Sequence, residues 1–189
     1  MATYTPRLNS SGISGSRWYE TQNPFYLAGY GMPNCTAYAF GRSWEIGDPN
    51  NVGANYPPLS TGNAEDWYGH ADNWVRGSTP KLGAVVCYAD GDFSGDGHVA
   101  VVEVIDTVNN RFLVSESAYN GYYFRATHWI DMTTCDYGYG HYVFQGFIYN
   151  PNAGDEPGPD PPGPGEGFDI WKFKPLIEKR KGSLNGWIA

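Results

Sequence analysis

The chain is poor in three things, and each shortage closes off a class of protein. Positive charge is scarce: 12 Lys and Arg stand against 20 Asp and Glu, a formal net charge of −8. Nucleic-acid binding needs a basic face, so no nucleic-acid partner is expected. Cysteine is scarce and odd in number, three in 189 residues, which argues against a disulfide framework. Nor do these cysteines and the four histidines fall at zinc-ligand spacing. Long apolar runs are missing, so no segment is expected to span a bilayer. The opening Met1-Ala2-Thr3-Tyr4-Thr5-Pro6-Arg7 lacks the apolar stretch of a removable secretion signal. What the chain has in quantity is glycine, proline and aromatic residues, the last at 16%. That mixture suits a loop-rich α+β domain with aromatic grooves, and the length allows one such domain plus a short appendage.

One stretch organises the rest: Pro33-Asn34-Cys35-Thr36-Ala37-Tyr38-Ala39-Phe40-Gly41-Arg42. Pro33 turns the preceding residue away from helical geometry, and Asn34 is a good N-cap, so Cys35 is expected at the first helical position. Free backbone N–H groups and the positive end of the helix dipole favour a thiolate there, and the thiolate is the nucleophilic form. The small residues Thr36, Ala37, Ala39 and Gly41 let the helix lie close to a sheet. A lone cysteine is as often a small buried apolar residue, so the case for Cys35 as a nucleophile depends on its context.

Along the chain, residues 1–32 read as an irregular wrap anchored by Trp18, Tyr19, Phe25 and Tyr26. Helix one is expected over Cys35–Ile46, stopped by Gly47-Asp48-Pro49. A second helix is expected after Asn63, which would cap it, ending near Tyr68 to His70. Beyond Gly77-Ser78-Thr79-Pro80 the period turns to alternation. Strands are expected at Ala84–Tyr88, His98–Ile105, Arg111–Glu116, Tyr122–Trp129 and Tyr142–Tyr149. Helices first and an antiparallel sheet afterwards make an α+β fold of papain-like layout, with a nucleophile helix set against a sheet that carries the base. His98, opening its strand after a glycine, is the candidate base, and a third group must orient its ring. Phe112, Val114 and Glu116 share one strand face, so Glu116 closes an apolar row and needs a partner. His98 is the best available.

These residues resemble the CHAP domain, the cysteine, histidine-dependent amidohydrolase/peptidase, over about residues 25–150. The resemblance rests on Asn34-Cys35-Thr36-Ala37-Tyr38-Ala39, Gly62-Asn63-Ala64-Glu65-Asp66-Trp67-Tyr68, Pro80-Lys81-Leu82-Gly83-Ala84-Val85-Val86, Gly97-His98-Val99-Ala100-Val101-Val102 and Ser115-Glu116-Ser117-Ala118, in that order. It implies hydrolysis of an amide bond in bacterial peptidoglycan, with Cys35, His98 and Glu116 as the catalytic set and no required cofactor. Donors for the oxyanion are expected from the Cys35 N–H and from Tyr30 or Asn34. Some relatives carry an Asn shortly after the acid; here Ala118 stands two residues on, and Asn120 is the other position for that role. A non-catalytic wall-binding or virion protein keeping the fold, or a papain-like hydrolase with a non-murein substrate, are the competing classes.

Three features lie outside that core. Asp90, Asp92 and Ser94 resemble the first half of a calcium loop, but Val101 stands where its closing glutamate should be, so calcium is a weak candidate against a plain hairpin. Tyr119, Asn120, Tyr122 and Trp129, which follow the acid, are candidates for a substrate groove. After Asn150 the composition breaks: residues 151–167 read as a Pro/Gly-rich linker and 168–189 as a short basic, aromatic tail that could tether the enzyme to a wall or membrane surface. The domain proper is then 1–150, expected to be a monomer. A wall hydrolase without a secretion signal suggests a phage endolysin or a tail-associated lysin, held in the host cytoplasm or on the virion before it reaches the wall.

Overall fold

A computed structural model describes residues 4–70, 72–91 and 96–154. The expected tail, nearly all of the expected linker, and Asp92 and Ser94 lie outside these residues. The described chain is α+β, as expected. Its helices are α1 (Pro24–Leu27) and α2 (Cys35–Gly47), and its strands are β1 (Arg76–Gly77), β2 (Val85–Asp90), β3 (His98–Asp106), β4 (Arg111–Glu116), β5 (Arg125–Asp131) and β6 (Tyr142–Ile148). The strands form one antiparallel sheet in the order β1-β6-β2-β3-β4-β5.

Helix α2 begins as the sequence predicts. Asn34 is extended, and its Oδ1 accepts from the Thr36 N–H at 2.9 Å, which leaves Cys35 as the first helical residue. The helix ends one residue beyond expectation, at Gly47. Its close packing depends on Gly41: a Cβ there would lie 2.5 Å from the Tyr19 ring and 2.7 Å from the Trp18 carbonyl. Tyr19 belongs to a π-turn over Arg17–Thr21, so the irregular wrap contains two ordered pieces that sequence periodicity does not show, this turn and α1. Buried Asn23 ties both to α2, its Nδ2 donating to the Trp18 and Ala37 carbonyls at 2.7 and 3.0 Å.

The expected second helix is a single 3-10 turn, Ala64–Asp66, and Asn63 makes no side-chain cap. The chain past it is held by long-range contacts instead. The Arg76 guanidinium donates to the carbonyls of Trp67, Tyr68 and His70 at 3.2, 3.2 and 2.7 Å. Trp67 meanwhile turns fully into the core and stacks on Phe25.

The sheet is covered on both faces. Val85, Cys87, Val99 and Val101 pack with Ala37, Phe40 and Trp44 of α2. Val86, Ala100, Val102, Phe112 and Val114 pack on the opposite face with Tyr137 and Cys135. Cys87 is therefore a core residue, as its strand alternation suggests. Strand β5 starts at Arg125 rather than Tyr122, because residues 117–122 close a turn in which the Ala118 N–H donates to the Tyr122 carbonyl at 3.1 Å. Register irregularities fall between Val102 and Val104 and between Val114 and Glu116, beside the two fully buried glutamates of β3 and β4.

Candidate active site

Cys35 lies partly exposed at the N-terminus of α2, where its N–H has no acceptor inside the helix. The helix start is tied to the end of β4 through Ser117. Its Oγ accepts from the Asn34 N–H and donates to the Tyr122 carbonyl, both at 3.1 Å. His98 is delivered by Gly97, which has φ +59, a conformation L side chains seldom adopt. A Cβ on Gly97 would also stand 2.5 Å from the Tyr88 carbonyl and 2.7 Å from the Glu65 nitrogen. His98 is thereby held at the first position of β3, with only 4% of its surface exposed.

The imidazole is linked to the acid. His98 Nε2 lies 2.7 Å from Glu116 Oε2, and Cys35 also acts on the ring, favouring its protonated form. Burial opposes a charge on the ring, but Cys35 and Glu116 outweigh it through hydrogen bonding and electrostatic attraction, raising the pKa to about 9. His98 is thus an imidazolium at neutral pH. Tyr142 stacks on it at 5.6 Å with planes 20° apart, and Tyr137 approaches at 4.7 Å.

Glu116 is fully buried and has four partners. Oε2 takes His98 and the Tyr137 hydroxyl. Oε1 accepts from Arg125 Nε at 2.9 Å and Nη2 at 2.6 Å, and lies 3.3 Å from His128 Nδ1. Burial alone would favour the protonated acid; the hydrogen bonds from His128, His98 and Tyr137 and the His98 charge instead hold it well below the usual carboxylate range. Sequence reasoning missed Arg125, His128, Tyr137 and Tyr142. Arg125 pairs directly across from Glu116 as an opposite charge, through a ladder register that the sequence does not show. Tyr137 had none, because it sits in a Tyr/Gly-rich loop without periodicity.

The remaining candidates divide. A cavity of about 210 Å³ is lined by His98, Ala118, Tyr122, Tyr137, Tyr139, His141 and Tyr142. Of the expected groove residues only Tyr122 lines it. Tyr119 and Asn120 sit exposed on the neighbouring turn. Trp129 is a correction: it pairs with Leu113 on β4 and lies beneath the Arg111 guanidinium at 4.3 Å, away from the site, because alternation puts it on the face opposite His128. Tyr30 is exposed, and its carbonyl accepts from Asn34 Nδ2 at 3.1 Å. Asn34 Oδ1 is committed to the Thr36 N–H and hydroxyl, so the amide serves chiefly as the cap. Asp90 ends β2. Among the described residues no group of three or more His, Cys, Asp or Glu could hold a metal ion.

Residues 25–118 match the model of the CHAP domain. The matched stretch runs from α1 to the turn after β4 and so contains Cys35, His98 and Glu116; it stops short of Arg125, His128 and Tyr137. Among solved structures the chain is similar to the crystal structure of Ly7917, with a TM-score of 0.43 and 18% identity over 64% of this chain and 54% of that one. The chain thus aligns with about half the length of that protein.

Proposed function

We propose that this protein is a cysteine-dependent peptidoglycan hydrolase that cleaves an amide bond of the bacterial wall through a thioester. The CHAP match supports the reaction class, and one observation supports the mechanism: an imidazole 2.7 Å from a buried carboxylate is also acted on by the Cys35 side chain. In this reading Cys35 Sγ attacks the carbonyl carbon of the amide, and the charge developing on oxygen is met by the free Cys35 N–H at the positive end of α2. His98 gives its Nδ1 proton to the departing amine as the C–N bond breaks, leaving a thioester. The now neutral Nδ1 takes a proton from water, whose oxygen attacks the thioester. The C–S bond breaks, and the carboxylic acid leaves with Cys35 restored. Glu116 never needs to accept the proton; it keeps Nε2–H pointed at itself and stabilises the imidazolium.

Zymography on bacterial walls tests this. Wild type is expected to clear the wall, and Cys35→Ala to lose at least about 10³-fold in rate with its fold intact by circular dichroism. Clearing by Cys35→Ala at the wild-type rate overturns the reading. Mass spectrometry of the released muropeptides then decides between N-acetylmuramoyl-L-alanine amidase, with the new amine on the stem peptide, and endopeptidase, with the new amine inside it.

A further inference from the structure

The Glu116 carboxylate is gripped from both sides by one side chain outside the matched stretch. Arg125 reaches Oε1 directly with Nε and Nη2. It reaches Oε2 indirectly, because Nη2 also lies 3.1 Å from the Tyr137 hydroxyl, which itself donates to Oε2. The guanidinium is held in place by the Tyr122 ring at 4.4 Å and by its position opposite Glu116 in the β4–β5 ladder. His98 must share Oε2 with Tyr137, while Arg125 draws charge toward Oε1. A carboxylate free of Arg125 would bind the imidazolium more strongly and release its proton less readily.

We propose that Arg125 is a positioning residue for the reaction, which engages Glu116 Oε1 and moderates the carboxylate's hold on the imidazolium so that the ring can give up its proton. This rests on His98 being the acid–base group. It does not depend on peptidoglycan being the substrate.

The groups facing His98 are Cys35 from α2, Glu116 from β4, Tyr137 from the loop before β6, Tyr142 from β6 and Tyr88 across the β2–β3 ladder. Those facing Glu116 further include Arg125 and His128 from β5 and Tyr122 from the preceding turn. Arg125 is the one permanent cation among them. Its removal therefore has a fixed sign: the site becomes more negative and the imidazolium more stable.

The test is an NMR titration of the His98 ring, assigned by its loss in His98→Gln, in wild type, Arg125→Gln and Arg125→Lys. Arg125→Gln is expected to raise the His98 midpoint by about 0.5–1 pH unit, and Arg125→Lys to restore most of it. The alkaline limb of wall hydrolysis is expected to move up with it while the maximal rate falls. A midpoint that stays put or drops in Arg125→Gln overturns the proposal, as does an equal rise in Arg125→Lys. Should Arg125→Gln fail to fold, Tyr122→Leu removes the ring that holds the guanidinium and keeps every charge. A smaller rise of the same sign supports the proposal, and no rise overturns it. Since the titration needs no substrate, the shift is read even if walls prove not to be the target.

Discussion

The sheet buries two glutamates completely, and they do opposite things. Glu103 of β3 faces α2. Its oxygens receive Arg42 Nε and Nη2, both at 2.9 Å, along with the Tyr4 and Ser115 hydroxyls and the Arg7 N–H. Glu116 of β4 faces the other way and receives His98, Tyr137, Arg125 and His128 beside an open cavity. Ser115, the donor to Glu103, is the chain neighbour of Glu116, so adjacent residues of one strand serve the two networks. The difference lies in the partner. Arg42 is sealed and cannot lose its charge in any ordinary pH range, so its ion pair with Glu103 is fixed. His98 is a partner that can change charge, and Cys35 also acts on its ring. Burial of a carboxylate therefore says little about function until the partner's ability to exchange a proton is known.

The sharpest way to break this comparison is to neutralise each acid in turn. Glu116→Gln keeps the volume but loses the charge that orients and stabilises the imidazolium, and hydrolysis is expected to fall by about 10²–10⁴-fold with a smaller loss of stability. Arg125 is partly exposed and can be solvated once its partner is neutral. Rates on solubilised wall, set beside urea denaturation, check both halves. Glu103→Gln is expected to show the reverse. It leaves a sealed Arg42 with Glu45 as its remaining counter-charge and should lower stability by up to about 3 kcal/mol. Activity per folded molecule should stay within a few-fold of wild type. If Glu103→Gln instead kills activity while leaving the urea midpoint unmoved, the two networks are one machine and the contrast drawn here fails.

The same contrast explains what could be read from the sequence. Cys35 and His98 were legible because short-range rules place them: Asn34 caps one residue earlier, and Gly97 alone fits the turn before the strand. Glu116 was legible through alternation with Phe112 and Val114. The partners that decide its role were not, because they are fixed by register. A slip of the ladder between Val114 and Glu116 brings Arg125 opposite the acid, and a non-periodic loop returns Tyr137 to it. The misread second helix has the same cause. Asn63 stands at the start but makes no side-chain cap, and Arg76, ten residues past the turn, holds the chain beyond it. Likewise the wrap looked irregular because its order comes from Tyr4 and Arg7 reaching Glu103, nearly a hundred residues away.

The smallest expected effect sharpens the comparison by pH rather than by comparing two glutamine variants. His98 is raised in the folded protein to about 9, from about 6.5 in an unfolded chain. A group with a raised folded pKa contributes stability that is fully present below the unfolded value and is lost as pH climbs through the folded one. The His98 contribution should therefore stand intact below about pH 6.5, shrink from there to about pH 9 and be gone above it, a loss on the order of 1–3 kcal/mol. The Arg42 guanidinium adds no slope across that window, because it keeps its charge throughout. Urea denaturation of wild type and His98→Gln between pH 6 and pH 9.5 reads the difference: the wild-type curve should fall relative to the variant's as pH rises. Parallel curves would mean that His98 carries no extra proton in the fold, which would put it in the same category as Arg42, a structural partner rather than a working one.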